Sequence, residues 1–241
     1  PANRTALLDP KKTLPLGPTV AVSSGSKSQN RTYQDLLKNP MDETNFETIV
    51  SSELYKVHLN GDRLLLFPKD LYVGESFSPD GNFIMLTTVK KPFSYIVPYS
   101  RFPLTTVVCD VKGKLVKTIN EVPLTEVMPK GFMAVRKGKR SMGWRSDEPA
   151  SWCYAVALDE GDPANKVDFR DEVFIWRAPF DKDPISIVKT KQRFGGIDWC
   201  NESTAIVYDS WYDTRNTKTY LFNPSNPAQT PKIIFDRNEQ D

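Results

Sequence analysis

The chain has 241 residues, enough to bury one large β core or two ordinary ones. Its 32 Lys and Arg against 30 Asp and Glu leave a formal charge of +2, which excludes a chain-wide attraction to nucleic acid or anionic membrane. Three Cys without a C-x-x-C, a single His, no apolar run near the roughly 20 residues of a membrane span and no cofactor motif argue against a structural zinc site, a membrane span and a bound cofactor.

The 19 Pro and 12 Gly fall between short apolar runs, a distribution that suits an all-β chain with many turns. Cys109, Cys153 and Cys200 read as free thiols packed like small apolar residues, or as one disulfide with a spare. Pro1, where an initiator Met would stand, is expected of a processed or excised chain.

Residues 1–44 read as a loop or insertion with a short helix, and 45–241 as β-sheets. The stretch Ala2–Asn30 is rich in Pro, Gly, Ser and Lys, and its Ser23–Ser28 run lacks the G-x-x-x-x-G-K-[ST] spacing of a phosphate loop. A helix is expected over Arg31–Leu37, capped by Thr32 and stopping before Asn39-Pro40. Two β runs, Ser52–Leu59 and Arg63–Phe67, flank Asn60-Gly61, whose residue types suit the positive φ angles of a type I′ turn. His58 falls inside that strand with no nucleophile beside it to activate, so it reads as a strand histidine.

Three segments then share one plan: an aromatic-closed strand, a polar turn, a β-branched strand and a later hairpin. They cover about 71–120, 140–190 and 195–236. In the first, Tyr72–Phe77 turns through Ser78-Pro79-Asp80-Gly81-Asn82 into Phe83–Val89, and Thr105–Asp110 turns at Lys112-Gly113-Lys114 into Leu115–Ile119. The second has Arg140–Trp144, Ser151–Leu158, Asp171–Arg177 and Pro184–Lys189. The third has Gly196–Trp199, Thr204–Tyr208, Lys218–Asn223 and Lys232–Phe235. The closing aromatics Phe77, Trp144 and Trp199 are spaced by 67 and 55 residues. Propeller blades repeat every ~40 to 50 residues, so the excess is assigned to insertions after the second strand, at Lys90–Arg101 and Asp159–Arg170. With the hairpin at about 45–70 as the outer part of a preceding blade, the pattern gives a partial β-propeller of three to four four-stranded antiparallel blades, with a β-sandwich as the competing architecture. Uncovered blade faces would favour self-association or an enclosing remainder of the protein.

Several blocks carry a more specific signal. Arg31–Lys38, Lys91–Pro98 with Arg101-Phe102-Pro103, Val135–Ser141 with Trp144-Arg145, and Gly195–Cys200 with Glu202 and Ser210–Arg215 resemble the β-propeller of glutamyl endopeptidases, a branch of the prolyl oligopeptidase family. The resemblance runs from Arg31 to Arg237. It implies a propeller that caps a C-terminal α/β-hydrolase domain of the same polypeptide, gates a Ser-Asp-His triad and helps select peptide substrates cleaved after glutamate. An exported, periplasmic or plastid setting follows from the resemblance alone. The chain itself has no G-x-S-x-G and no strand-helix alternation, so it contributes no catalytic residue and is expected to be inert alone. The alternative is a stand-alone propeller-like interaction module.

The densest charge lies at Arg136, Lys137, Lys139 and Arg140 around Gly138, with Arg145 beyond Trp144. Arg136, Lys139, Arg140 and Arg145 are the candidate substrate-binding residues, because fixed Arg forks bind carboxylate bidentately, as recognition of a substrate glutamate requires. The same cluster also reads as a solvated face. Lys90–Arg101, with Phe93, Tyr95 and Tyr99, reads either as a stiff loop toward the catalytic domain or as a blade-edge insertion. Trp211, Tyr212 and Arg215, at the turn after the second strand of the last blade, read either as packing between blades or as aromatics that contact a peptide. The acidic cluster Asp159, Glu160, Asp162, Asp168 and Asp171 lacks EF-hand spacing, so no metal is assigned to it.

Overall fold

A computed structural model describes residues 5–9, 11–12 and 33–240. The Ser23–Ser28 run and the expected Thr32 cap lie outside them. No helix runs through 33–37, where Asp35 has a φ of +56°. The helix that forms is α1, Pro40–Val50. Asn39 is its N-cap, with Oδ1 accepting from Asp42 N at 3.0 Å, Pro40 opens the first turn, and Asp42 and Glu43 meet the positive end of the helix dipole. Asn39-Pro40 therefore starts a helix where the sequence reading placed a stop.

All strands are antiparallel meanders. β1 (Ser52–Val57) and β2 (Arg63–Asp70) form a two-stranded sheet. Their turn is not type I′: Asn60 is absent from the residues with positive φ, and only Gly61 is left-handed, at +93°. The bonds Gly61 N to His58 O and His58 N to Asp62 O describe a three-residue loop closed by a left-handed glycine. His58 lies in this turn, exposed, and not within β1.

Three four-stranded sheets follow. The first is β3 (Tyr72–Phe77), β4 (Phe83–Val89), β5 (Leu104–Asp110) and β6 (Leu115–Val122). The second is β7 (Lys139–Trp144), β8 (Ser151–Ala157), β9 (Asp171–Arg177) and β10 (Ile185–Thr190). The third is β11 (Arg193–Asn201), β12 (Thr204–Trp211), β13 (Asn216–Phe222) and β14 (Lys232–Asn238). This is the architecture of a partial β-propeller, with both long insertions after a sheet's second strand as expected.

The chain divides into two compact units, the first drawn from residues 1–73, 87–105 and 121–127, the second from 74–86, 106–120 and 128–241. In the first unit, α1 packs Phe46 and Val50 onto a core of Leu71, Val89, Phe93, Val97 and Phe102. Phe93 and Val97 come from the Lys90–Arg101 insertion, which is thus anchored in the core, while Tyr95, Ile96 and Tyr99 are exposed. Phe46 meets Phe93 edge-on at 5.2 Å.

In the second unit, the middle sheet is covered on both faces, which explains why β8 (SWCYAVA) is apolar at nearly every position and does not alternate. One face sets Cys153, Ala155, Val173 and Ile175 against Phe194, Ala205, Val207 and Phe222 of the third sheet. The other sets Trp152 and Tyr154 against Val108 and Ile119. Cys109 and Cys153 are buried free thiols and Cys200 is exposed; burial pushes the Cys153 thiol up to about 12. Replacing the fully buried Trp152 by Ala is expected to cost about 3 to 5 kcal/mol in urea denaturation. The exposed Leu115→Ala change should stay within about 0.5 to 1 kcal/mol.

Candidate functional site

The structure separates the four basic candidates. Lys139 and Arg140 open β7 and Arg136 precedes it, whereas Arg145 follows its last residue. At ~3.3 Å per residue, Arg140 and Arg145 stand roughly 16 Å apart along the strand. A single small pocket cannot take both.

Arg145 is fully buried. Its Nε and Nη2 donate to Asp147 at 2.8 and 2.6 Å, its Nη1 lies 2.8 Å from Glu148 Oε1, and its guanidinium covers the Trp199 ring at 4.4 Å. The Arg145 fork holds the Asp147 carboxyl below its usual range. Lys139 is committed as well. Its Nζ donates to Ile119 O at 2.7 Å and faces the Tyr154 and Trp176 rings at 5.5 and 5.4 Å. Burial, with repulsion from Lys117, pulls this ammonium below its ordinary range.

Arg140 joins a constellation that the sequence reading had scattered among other features. Its Nη2 pairs with Asp171, the first residue of β9. Asp171 also accepts from Arg193 Nη1 at 3.1 Å and from Phe194 N at 2.6 Å. Arg193, first residue of β11, reaches Asp159 through Nη1 and Nη2 at 3.0 and 2.7 Å. Asp159 in turn accepts from Arg170 Nη1 at 3.0 Å and Gly161 N at 3.0 Å. Burial alone would raise the Asp159 carboxyl, but the hydrogen bonds from Arg193 and Arg170 outweigh it and hold the group below its ordinary value. Both aspartate side chains are closed to solvent, and three arginines face two carboxylates, so the network keeps one surplus positive charge.

Neighbouring groups fix this arrangement. Arg193 Nε donates to Met133 O at 3.0 Å, tying the loop before β7 to β11. Gly161 has a φ of +76° and lies so close that a Cβ there would meet Val135 O at 2.2 Å. Arg170 stacks on Trp211 at 4.4 Å, while Tyr212 contacts Phe132 at 4.2 Å and carries Arg215 over its ring at 3.7 Å. The acidic cluster is thus divided: Asp159 and Asp171 answer arginines, and Glu160 pairs with Lys137 at 2.8 Å. Among the described residues no group of three or more His, Cys, Asp or Glu is placed to hold a metal ion. The signal available in sequence was positional, since Arg140, Asp159, Arg170, Asp171 and Arg193 all border the ends of strands.

The fold and this site define a propeller-like β module, with no nucleophile elbow in its sequence. In sequence the chain is similar to glutamyl endopeptidases. It is 36% identical over 234 residues to "Probable glutamyl endopeptidase, chloroplastic" of Oryza sativa subsp. japonica, a match that spans 96% of this chain and 25% of the relative. Against the protein of that description from Arabidopsis thaliana it is 36% identical over 236 residues, 96% of this chain and 24% of the relative. The chain therefore spans about a quarter of the length of the curated relatives it matches. No family model matches the chain. Among solved structures it is similar to an acylaminoacyl peptidase in complex with Z-Gly-Gly-Phe-chloromethyl ketone, at 14% identity over 80% of this chain and 29% of that one, TM-score 0.46. It is also similar to the acylaminoacyl peptidase of Pyrococcus horikoshii, at 15% identity over 76% of this chain and 28% of that one, TM-score 0.45.

Removing Arg193 leaves two solvent-free carboxylates short of their partner, so Arg193→Ala is expected to destabilise by about 3 to 5 kcal/mol. Asp159 has its folded pKa depressed, so its contribution is complete above the unfolded carboxylate pKa of ~3.9 and is lost as pH falls through the folded value. Asp159→Asn should therefore differ most from the parent chain at neutral pH and converge with it in acid, as denaturation measured across pH 2 to 7 will show.

Proposed function

We propose that this chain is the part of a serine peptidase that gates access and helps select peptide substrates for an α/β-hydrolase domain carried elsewhere in the same polypeptide. Kinship with the glutamyl endopeptidases over nearly the whole chain supports the parent activity. The observation that supports a selecting role is the surplus positive charge of the network at the start of β7, with Arg140 among its more exposed members. A substrate glutamate carboxylate supplies the missing negative charge in surroundings poor in water, where a charge-assisted pair is strongest. Arg136 and Arg140 are assigned this contact. Lys139 and Arg145 instead hold neighbouring strands and turns, through Ile119 O and the Asp147 carboxylate.

Arg136→Ala and Arg140→Ala, made in the peptidase that carries this segment, are expected to reduce the preference for Glu over Gln at the cleaved bond about tenfold in kcat/KM. An unchanged preference in both variants removes the pocket from the mechanism. The outer strand β14 leaves Ile234 and Phe235 exposed, an apolar edge that the longer polypeptide is proposed to cover. Sedimentation of the isolated chain should then show association, and a monomer at high concentration would count against an uncovered interface.

A further inference from the structure

The second unit contains a cavity of about 480 Å³. It lies beside β10, the last strand of the middle sheet, and is also lined by β13, β14 and the loop 227–231. Its wall is formed by Ile187, Val188, Tyr220, Pro231 and Ile233. A register shift between Ser186 and Val188 lets β10 bury two successive side chains, Ile187 and Val188, and this makes the wall continuous. The volume lies within the ~300 to 1,000 Å³ common for ligand pockets.

The polar part of the lining has one sign. Lys189, Lys191 and Lys218 line the cavity together, and no acidic residue does. Lys189 and Lys218 reach Glu172 and Asp236 at 3.5 and 3.1 Å. Lys191 has no carboxylate within salt-bridge distance among the described residues; its Nζ lies 4.9 Å from the centre of the Phe169 ring, itself part of the lining. Lysines on an exposed edge strand can serve to deter strand pairing. That account does not extend to Lys218, which belongs to β13, paired on both sides by β12 and β14.

We propose that this cavity binds an apolar group carrying a carboxylate, with its hydrocarbon against Ile187, Val188 and Ile233 and its charge at Lys191. Two sources share that chemistry: a free medium-chain or aryl acid, and the C-terminal apolar residue of a peptide. Calorimetric titration of the chain with decanoate and with a short peptide ending in free Phe separates them, since the tighter binder identifies the source. Decanamide and the C-terminally amidated peptide are the controls, and each should bind at least tenfold more weakly than its acid. Lys191→Gln is expected to weaken the acid about five- to tenfold and to reduce the dependence of affinity on salt. Ala228→Trp, in the exposed loop, should fill the mouth and abolish binding without touching the core. The proposal is overturned if neither acid binds at millimolar concentration, if the amides bind as well as the acids, or if Ala228→Trp leaves binding intact.

Discussion

The middle and third sheets depend on one cation, Arg193, held between two carboxylates that water does not reach. A buried carboxylate without a counter-charge is among the costliest features a small β core can contain. Asp159 and Asp171 are tolerated because the first residue of β11 enters between them. The same guanidinium also donates to Met133 O, so one side chain fixes the entry to β11, the entry to β9, the insertion after β8 and the loop that leads into β7. Gly161 completes the closure from the other side, since its left-handed conformation and lack of a Cβ let the insertion lie against Val135. The candidate site is therefore a consequence of how adjacent sheets are joined, and is not an addition to a finished scaffold.

Two buried aspartates of the second unit show what this arrangement achieves. Asp159, met by Arg193 and Arg170, has its carboxyl held down despite burial. Asp209 on β12 is equally closed to solvent but has no arginine. Its Oδ2 accepts from Gln192 N and Tyr220 OH, its Oδ1 has no hydrogen-bond partner among the described residues, and burial pushes its carboxyl up. The signs are opposite. Ionised Asp159 supports the fold above the ordinary carboxylate range, while ionisation of Asp209 costs stability as pH rises from that range through its raised value. The second unit thus contains one buried carboxylate held ionised by arginines and one whose ionisation burial opposes.

Strand positions were legible because a β-branched run closed by an aromatic and followed by Gly, Pro, Asn or Asp has few other ways to fold. Tyr72–Phe77, Phe83–Val89 and Asp171–Arg177 fall where they were expected, and most other strands differ by one to three residues at an end. The β11–β12 hairpin differs more, because Arg193 and Phe194 also pair, with Ser210 and Asp209. Of those added residues Arg193 belongs to the ion network, and a charged residue at the end of a strand carries no apolar signal. The turn at Asn60-Gly61 and the helix at Asn39-Pro40 failed for a related reason: each dipeptide suits two local structures, and residues further along the chain decide between them. Asn39-Pro40 became a cap because Met41–Val50 could continue as a helix whose Phe46 and Val50 have a core to enter.

The two binding proposals draw on the two outer strands of one sheet, whose order is β10-β9-β8-β7, and the network at the start of β7 also reaches Asp171 on β9. With strands ~4.8 Å apart, the outer strands are separated by roughly 14 Å of hydrogen-bonded backbone. At the β7 edge the surplus charge belongs to forked guanidinium groups in dry surroundings, which reward a short acid placed bidentately. At the β10 edge the charges are ammonium groups on flexible stems around an apolar hollow, a combination that rewards a buried hydrocarbon and tolerates variation in where the carboxylate lands. Each site can therefore be lost without the other. The network at the start of β7 joins the sheets through buried charge, whereas the hollow beside β10 has Ile187, Val188 and Tyr220 of the apolar core for its wall and keeps its lysines at the rim, so a change to a rim lysine leaves the core in place.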